Sequence, residues 1–386
     1  MRPCRCCRAC VCRNCNTGRR GGRRGCEGRG AGSRNGEFSF TMPGLHLACC
    51  LMSDEKDLGG KLLAEVSRSF YLTLKALPEG VREPLSLAYL MARAADTLAD
   101  TTVVPGEVRL GCLRDFDGVV QVGAEEQGLM ARLKSEFMPL QEDEGERKLL
   151  DRLPEVVKAY RASDDVDRTM TRGVLGPIVK GQMLDIERFP QDGQVRALVT
   201  AAELDEYTWL VAGCVGEFWT KLCVAKLGAS FASGTTADEM VRKGVNYGKG
   251  LQLVNILRDV AKDGRMGRCY LPLTEIEAVG LTMEEVRAKP AVLLPLTVKW
   301  RELAREYLMD GLAYVEALEM KRLRYATALP LLLGFKTLVL IERASQAEWL
   351  AGLKVPRGET TKLLFEAGIA SATRNGISKL AAKCMG

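Results

Sequence analysis

The chain of 386 residues contains a single histidine, His46. Because His46 lies within residues 1–52, we expect no histidine acid–base catalysis, Cys–His dyad or His-bearing zinc site in the rest of the chain. No Walker A sequence is present, and the segment 248–250 (Gly-Lys-Gly) lacks the remaining glycine of a dinucleotide-binding loop. Any phosphate group that this protein binds must therefore be held by another device.

Long apolar runs are also missing from the sequence. No stretch reaches the roughly 18 apolar residues expected of a membrane span. The nearest approach is 328–341, which Lys336 interrupts and which contains Pro330 near its start. We interpret this segment as a buried core helix in preference to an interfacial one. The expected location is the cytoplasm, with at most peripheral contact at a membrane.

Positive charge and cysteine are concentrated in residues 1–52. Ten arginines against Glu27 and Glu37 give this segment a charge of +8, whereas the whole chain carries +6, so the remainder carries about −2. Nine of the fourteen cysteines lie there too, and the other five are scattered, as is typical of reduced thiols in a cytosolic protein. Since the body has no basic excess, we expect no nucleic-acid partner.

The segment 1–52 lacks the apolar region of a secretory signal. We interpret it as a disordered Cys/Arg-rich extension or an artefact of the gene model, and we expect a chain that begins at Met52 to keep full activity. Residues 53–386 are then predicted to form a single catalytic domain.

Apolar periodicity predicts helices almost throughout that domain. Strand alternation is nowhere sustained, and helices this apolar must cover one another, which favours an all-α bundle. The predicted helices lie at 85–98, 107–121, 146–164, 166–187, 196–227, 238–263, 295–319, 326–351 and 357–383.

Two pairs of aspartates stand out on these helices: Asp96 with Asp100, and Asp259 with Asp263. A spacing of four residues places both carboxylates of a pair on one helix face. Like charges at this spacing destabilise an isolated helix by a few tenths of a kcal/mol, so helix stability alone does not favour them. Mg²⁺ prefers oxygen ligands and usually shares them between one or two carboxylates and substrate phosphates. The pairs therefore predict two halves of a magnesium site.

Polar side chains extend each pair along its helix face. Arg93 precedes Asp96 by three residues and suits a diphosphate oxygen, although a buried Arg93–Asp96 ion pair is the alternative. On the second helix, Gln252 and Asn255 precede Asp259 at steps of three and four. Their amide oxygens are hard ligands or holders of water.

Three further features accompany the aspartate helices. The segment 67–69 (Ser-Arg-Ser) could hold phosphate oxygens or form a polar patch on a helix. Tyr207 lies on an apolar helix with Gly213 and Gly216, which allow close approach by a ligand or by another helix. Arg268 places a cation just after the second aspartate helix.

Taken in order, these motifs resemble those of the squalene/phytoene synthase family of head-to-head prenyl transferases. Five matches in the same order are more specific than any one of them, and the resemblance covers about residues 57–352. The segment 328–338 is similar to bacterial squalene synthase-type members, and no evident match to the Leu-Asp-Glu-Ile-Glu segment of phytoene synthases is found. The matching stretches are Ser67–Phe70, Arg93–Asp100, Tyr207–Gly216, Gln252–Asp263 and Gly267–Pro272.

The resemblance implies a fold and a set of residue roles. The fold is the all-α isoprenoid-synthase bundle, with facing aspartate helices around a central apolar cavity. Tyr207 would act on proton and diphosphate chemistry, together with the four aspartates. The implied Mg²⁺ ligands are Asp96, Asp100, Asn255, Asp259 and Asp263. The implied diphosphate-binding residues are Ser67, Arg68, Ser69, Arg93, Gln252, Asn255, Arg258 and Arg268.

The reaction implied by the resemblance joins two farnesyl diphosphates through presqualene diphosphate and then forms squalene by reduction with NADPH. A phytoene or dehydrosqualene synthase would share the motifs and omit the reduction. A class I terpene cyclase is disfavoured because its aspartate-rich motif with adjacent acids is absent. A non-catalytic helical assembly factor of the same family is the remaining alternative, and the presence of all four aspartates argues against it.

Overall fold

Long α-helices make up most of the chain that the structure describes. A computed structural model describes residues 58–67, 74, 76–373 and 375–386. Ser53–Gly386 form one compact unit. The predicted extension at residues 1–52 and the proposed start at Met52 lie outside the described residues, so both stay predictions.

The helix bounds are close to those predicted for the segments that carry the aspartates. The two long helices α7 (Asp165–Arg188) and α10 (Ala237–Arg265) begin at side-chain caps. The Asp164 side chain accepts a hydrogen bond from the Asp167 amide at 2.8 Å, and the Thr236 side chain accepts one from the Glu239 amide at 3.2 Å. The helices are α1 (Leu63–Ser67), α2 (Glu79–Asp100), α3 (Gly106–Gln121), α4 (Gln127–Arg132), α5 (Glu144–Asp151), α6 (Leu153–Ala162), α7 (Asp165–Arg188), α8 (Ala201–Thr208), α9 (Cys214–Leu227), α10 (Ala237–Arg265), α11 (Leu273–Ala278), α12 (Met283–Ala288), α13 (Thr297–Ala317), α14 (Lys321–Arg343), α15 (Gln346–Ala351), α16 (Arg357–Ala370) and α17 (Gly376–Met385).

Three of the predicted helices are interrupted, and local chemistry explains each break. The predicted helix 146–164 divides at Arg152, because Pro154 has no amide hydrogen to donate and starts a new helix. The predicted helix 326–351 ends at Arg343, and Ser345 caps α15 in a capping box with Glu348. The predicted helix 357–383 is interrupted before α17 by Asn375, whose φ of 60° is left-handed.

A short parallel sheet was not predicted. The strands β1 (Arg196–Leu198) and β2 (Arg268–Pro272) pair with Arg196 opposite Arg268 and Ala197 opposite Cys269. The prediction of one helix over 196–227 was therefore wrong at its start, because a three-residue strand is too short to show alternation. The sheet fixes Arg268 at the end of α10, where the second aspartate pair lies.

The core is built around α10, which packs against α9, α13 and α14. Gly216 and Gly244 let α9 and α10 touch backbone to backbone, since a Cβ at Gly216 would lie only 1.9 Å from the Gly244 carbonyl oxygen. Gly248 is equally close-packed, with the Ala212 carbonyl oxygen 2.3 Å from where its Cβ would stand. The glycines around Lys249 therefore serve helix packing rather than phosphate binding.

The apolar segment predicted as a core helix lies in α14. Leu331, Leu332, Phe335 and Leu338 are buried. Among the described helices, α14 is the one whose length and composition would allow it to cross a membrane, yet half of its apolar window is buried inside the protein. Burial against α10 and α13 accounts for its apolar character.

Candidate active site

The first aspartate pair lies on α2. Side chains from two other helices form hydrogen bonds with Arg93 and Asp96. Arg93 donates to Glu146 of α5 at 2.5 Å, so its partner is Glu146 and not Asp96. Asp96 instead accepts a hydrogen bond from the side-chain amide of Gln182 on α7, also at 2.5 Å. The predicted alternative of an Arg93–Asp96 ion pair is therefore wrong.

The carboxyl group of Asp96 is hard to ionise in this setting. Burial raises its pKa to about 7, and the nearby charge of Asp100 adds to the increase, while Arg93 and the Gln182 hydrogen bond oppose it. Asp100, at the end of α2, is exposed. Within the described ranges neither Asp96 nor Asp100 forms an ion pair, and a bound cation would relieve the repulsion between two such carboxylates.

The second pair lies on α10 and has a counter-charge at one member. Arg258 forms a bidentate contact with Asp259, at 2.8 Å and 2.6 Å to its two carboxylate oxygens. For Asp263, burial raises the pKa to about 7, and the charge of Asp259 contributes to the shift. Asn255 is exposed and donates weakly, at 3.5 Å, to the side chain of Gln252.

A buried ion pair lies at the point where α7 meets β2. Asp185 of α7 contacts Arg268 at 2.8 Å through one carboxylate oxygen. Its other oxygen accepts a hydrogen bond from the Tyr270 hydroxyl at 2.7 Å. Burial raises the pKa of Asp185, and Arg268 and Tyr270 oppose that rise. Asp185 thus positions the Arg268 guanidinium and the Tyr270 hydroxyl.

Tyrosine and phenylalanine rings stack beside this ion pair. The rings of Tyr207 and Tyr270 are stacked, with centroids 4.8 Å apart, and Phe189 meets Tyr270 edge-on at 5.3 Å. The Tyr207 hydroxyl donates to that of Tyr270 at 3.4 Å. Burial raises the pKa of Tyr207 well above its ordinary value, so its phenol stays protonated at neutral pH.

One aspartate of each pair lies within electrostatic range of the Asp185–Arg268 ion pair. Asp100 of α2 acts electrostatically on both Asp185 and Arg268. Asp263 of α10 is in turn influenced by the charges of Arg268 and Asp185. Asp100 also raises the pKa of Tyr207 through its negative charge, in addition to the larger effect of burial. Thr102, which follows α2, lines one cavity with Asp263 and Tyr270, so the end of α2, the end of α10 and the tyrosine pair lie at the same site.

A second buried guanidinium supports the end of α2. Arg109 of α3 donates to the carbonyl oxygens of Ala99 and Val104, at 2.6 Å and 3.0 Å. A third donation goes to the side chain of Gln191, at 3.2 Å. These contacts fix the backbone on both sides of Asp100.

The donors around both pairs are suited to a hard cation. Carboxylate and amide oxygens are the ligands that Mg²⁺ accepts. Across the part of the chain that the structure describes, no group of three or more His, Cys, Asp or Glu side chains forms a complete ligand set. Each aspartate pair would therefore hold a Mg²⁺ ion only with further oxygens from water or from a bound phosphate, the arrangement usual for this ion.

A cavity of about 470 Å³ opens beside Asp263 and Tyr270. Its wall mixes apolar residues with three arginines, Arg265, Arg268 and Arg287. The volume lies within the roughly 300–1,000 Å³ typical of ligand sites. The other lining residues are Thr102, Pro190, Gln191, Gly193, Gln194, Val195, Ile256, Val260, Gly264, Met266, Gly267, Cys269, Leu271, Val286, Pro290 and Leu293.

Some predicted residues are not tested by this geometry. Ser67 ends α1, while Arg68 and Ser69 lie outside the described residues. Of the residues that sequence reasoning missed, Gln182 and Asp185 are the most central. They lie three residues apart on α7, on the same buried helix face as Ile178, Val179 and Ile186. Two polar residues on an otherwise apolar face were the signal available.

Comparison with known proteins places this geometry in a family. The sequence model described as "Squalene/phytoene synthase" matches residues 63–359. A bifunctional lycopene cyclase/phytoene synthase of Phaeosphaeria nodorum is 28% identical over 255 residues, which are 64% of this chain and 40% of that protein. A squalene synthase of Candida albicans is 26% identical over 243 residues, 61% of this chain and 49% of that protein. The chain thus spans less than half the length of these two relatives.

The solved structure of TcSQS in complex with a ligand has a TM-score of 0.59 and 21% identity to this chain. The match covers 84% of this chain and 95% of that one, and it confirms the predicted all-α isoprenoid-synthase fold. With most of the chain matched by the family model, this protein belongs to the squalene/phytoene synthase family.

Proposed function

We propose that the protein condenses two farnesyl diphosphates head to head, through presqualene diphosphate, and that reduction with NADPH gives squalene. The observation that carries the proposal is that one aspartate of each pair, Asp100 on α2 and Asp263 on α10, lies within electrostatic range of the Asp185–Arg268 ion pair beside stacked tyrosines. Head-to-head condensation needs two diphosphates held in one orientation, and helix-borne groups from two sides provide it.

Mg²⁺ is the proposed cofactor of this site. Asp96, Asp100, Asp259 and Asp263 would hold it, and Asn255 is the remaining proposed ligand. When bound, Mg²⁺ supplies Lewis-acid chemistry that neutralises charge on a departing diphosphate. The raised pKa of Asp96 and of Asp263 supports the fit, because neither carboxyl group forms an ion pair with a side chain that the structure describes.

Arginines of the site are proposed to bind diphosphate oxygens. Arg268 forms an ion pair with Asp185, Arg258 forms one with Asp259, and Arg93 forms one with Glu146. A guanidinium can donate two parallel hydrogen bonds to a phosphate group, which fixes its orientation. Gln252 and the segment 67–69 complete the proposed set.

The tyrosine pair is proposed to protect and stabilise the carbocation. The faces of Tyr207 and Tyr270 offer cation–π stabilisation of about 0.5–2 kcal/mol per ring. Both phenols stay protonated, so the pair carries no negative charge. The Tyr270 hydroxyl donates to Asp185, whereas the Tyr207 hydroxyl makes only a long contact of 3.4 Å and would turn to donate to a leaving diphosphate. Their burial with Phe189 also excludes water, which would otherwise capture the cation.

The cavity beside Tyr270 is the proposed place for NADPH, which supplies a hydride. Arg265, Arg268 and Arg287 on its wall suit the phosphates of that cofactor. The cavity also adjoins Tyr270, so a cofactor there would lie next to the tyrosine pair.

We place the protein in the cytoplasm, with peripheral membrane contact that would allow an apolar product to leave.

A phytoene or dehydrosqualene synthase without reduction is the alternative. The relative from Phaeosphaeria nodorum favours it, since its name includes phytoene synthase. The segment 328–338 favours squalene instead, through its similarity to bacterial squalene synthase-type members.

A product assay distinguishes these outcomes. The purified protein is incubated with farnesyl diphosphate, Mg²⁺ and NADPH, and the extract is analysed by gas chromatography and mass spectrometry. Squalene is the expected product. Dehydrosqualene alone, or a C40 product from geranylgeranyl diphosphate, would replace the proposal with the alternative, and no product from either substrate would refute both.

A further inference from the structure

The outer face of α16 exposes two large apolar side chains. Leu363 and Ala367 face the core and are buried, whereas Phe365 and Ile369 are 73% and 62% exposed. Phe365 and Ile369 are four residues apart, so their side chains lie one above the other on one helix face. Gly368, between them, is also exposed and leaves the two side chains unobstructed. Single exposed apolar residues are common, but two stacked ones form a patch.

A basic segment adjoins this patch. Arg324 of α14 donates to the carbonyl oxygen of Thr373, just beyond the end of α16, at 3.3 Å. The ring of Tyr325 lies 3.9 Å from the position that a Cβ on Gly368 would occupy. The start of α14 therefore lies against the end of α16. Its basic residues are Lys321, Arg322 and Arg324.

The acidic residues of α16 do not cancel this charge, because both have lysine partners. Glu359 pairs with Lys336 of α14 at 2.6 Å. Glu366 lies 3.9 Å from Lys362, one turn earlier on α16. Glu316 and Glu319 lie just before α14, so the segment 316–324 contains three basic and two acidic residues, a net charge of +1.

The net charge of the region points the same way. Residues 352–386 contain six Lys or Arg and two Glu, a net charge of +4, in a body (53–386) that carries about −2. Lys321 and Arg322 are exposed, and neither forms an ion pair with any side chain in the described ranges. The segment that carries Phe365 and Ile369 is therefore basic, whereas the rest of the body has a negative net charge.

We propose that this face, formed by Phe365, Ile369 and the start of α14, docks on an anionic lipid surface. The two apolar side chains would enter the boundary between headgroups and acyl chains, while Lys321 and Arg322 would meet anionic headgroups. A second copy of the chain fits less well, because a two-fold interface would bring the two basic segments together. The inference extends the peripheral contact that we proposed with the function, by naming the surface.

Vesicle flotation with the full chain tests this surface. Vesicles of phosphatidylcholine with phosphatidylglycerol are compared with pure phosphatidylcholine. We expect binding to the anionic vesicles, at least tenfold weaker for F365S/I369S. K321S/R322S should lose about fivefold per residue at low salt, with a smaller loss at high salt. The matched control is V122S, which removes an apolar side chain that is 81% exposed at the end of α3.

The arginines of residues 1–52 could also bind anionic vesicles, but that binding would not depend on Phe365 and Ile369. Unchanged binding of F365S/I369S, an equal loss in V122S, or equal binding of the parent to neutral vesicles would therefore overturn the surface. Loss of a dimer in F365S/I369S, without vesicle binding by the parent, would assign the face to a second copy and also overturn it. Turnover in detergent is measured in parallel, so failure of the proposed reaction remains distinguishable from failure of this surface.

Discussion

The two aspartate pairs share one spacing but differ in how their charge is balanced. On α2, Asp96 accepts a hydrogen bond from the neutral side-chain amide of Gln182, while Arg93, one turn earlier on the same helix, forms an ion pair with Glu146. On α10, Arg258 donates one hydrogen bond to each carboxylate oxygen of Asp259. Each pair therefore contains one carboxyl group whose pKa is raised to about 7, Asp96 on α2 and Asp263 on α10, but only on α10 is the other carboxylate paired with an arginine among the described residues. Counter-charges from other helices, rather than spacing, decide the electrostatics.

The largest effect should come from removing either pair's first aspartate. Asp96→Ala and Asp259→Ala should each reduce turnover to below roughly one thousandth, because the charge that balances a leaving diphosphate is lost. Helix content by circular dichroism should stay unchanged. Near-normal product formation by either variant would refute the assignment, and a difference between the two would show which half of the site contributes more.

A second prediction concerns the raised pKa of Asp96 on α2 and its effect on stability. The pKa of Asp96 is raised to about 7 from its ordinary value of 3.8, so between about pH 4 and pH 7 the folded protein binds more protons than the unfolded chain. The free energy of unfolding attributable to Asp96 therefore falls as pH rises through this window. Asp96→Asn should stabilise the metal-free protein by up to roughly 4 kcal/mol at pH 8.

Thermal unfolding of parent and Asp96→Asn at pH 5 and pH 8 measures this effect. The gain should be largest at pH 8 and much smaller at pH 5, where Asp96 is already protonated. Asp259→Asn is the matched variant on α10, and it should not stabilise the protein, because it leaves Arg258 without its partner. Equal shifts in both variants would contradict the difference between the pairs.

A smaller effect is expected at the ion pair of Asp185 with Arg268. Asp185→Ala should lower turnover by about 10- to 100-fold, because Arg268 and Tyr270 lose the group that positions them. Asp185→Asn keeps an acceptor for Tyr270 and should retain more activity. Steady-state kinetics on both variants provides the test, and parent-like activity of Asp185→Ala would show that the ion pair is only structural.

The smallest effect is expected where Glu146 holds Arg93. Glu146→Gln should change stability by less than about 1 kcal/mol, because both side chains are partly exposed. Turnover should change by only a few fold, through a less well-placed Arg93. A loss as large as that of Asp96→Ala would mean that Glu146 belongs to the metal site itself.

The sequence was informative where the physics is local. The spacing of Asp96 with Asp100 and of Asp259 with Asp263 placed each pair on a helix that the structure contains. Apolar periodicity likewise located the core segment at 328–341, because one stripe of a helix must be buried wherever it packs.

Contacts between distant segments could not be predicted. The partner of Arg93 is a glutamate 53 residues away, and that of Arg268 is an aspartate on α7. Neither follows from spacing along one helix. The strand at 196–198 also depends on a partner far along the chain, so its three residues carry no recognisable pattern of their own. Sequence reasoning therefore found the aspartates but not the groups that set their charge.

The most direct test of the account asks whether the two pairs act as one site. Inorganic pyrophosphate binding in the presence of Mg²⁺ is measured by isothermal titration calorimetry for the parent, Asp96→Asn, Asp259→Asn and the double variant. If both pairs bind the same pyrophosphate, each single variant should lose nearly as much affinity as the double variant. The corresponding coupling free energy should be about 1–3 kcal/mol. Losses that add to within roughly 0.5 kcal/mol would mean that the pairs bind independently, which contradicts the account.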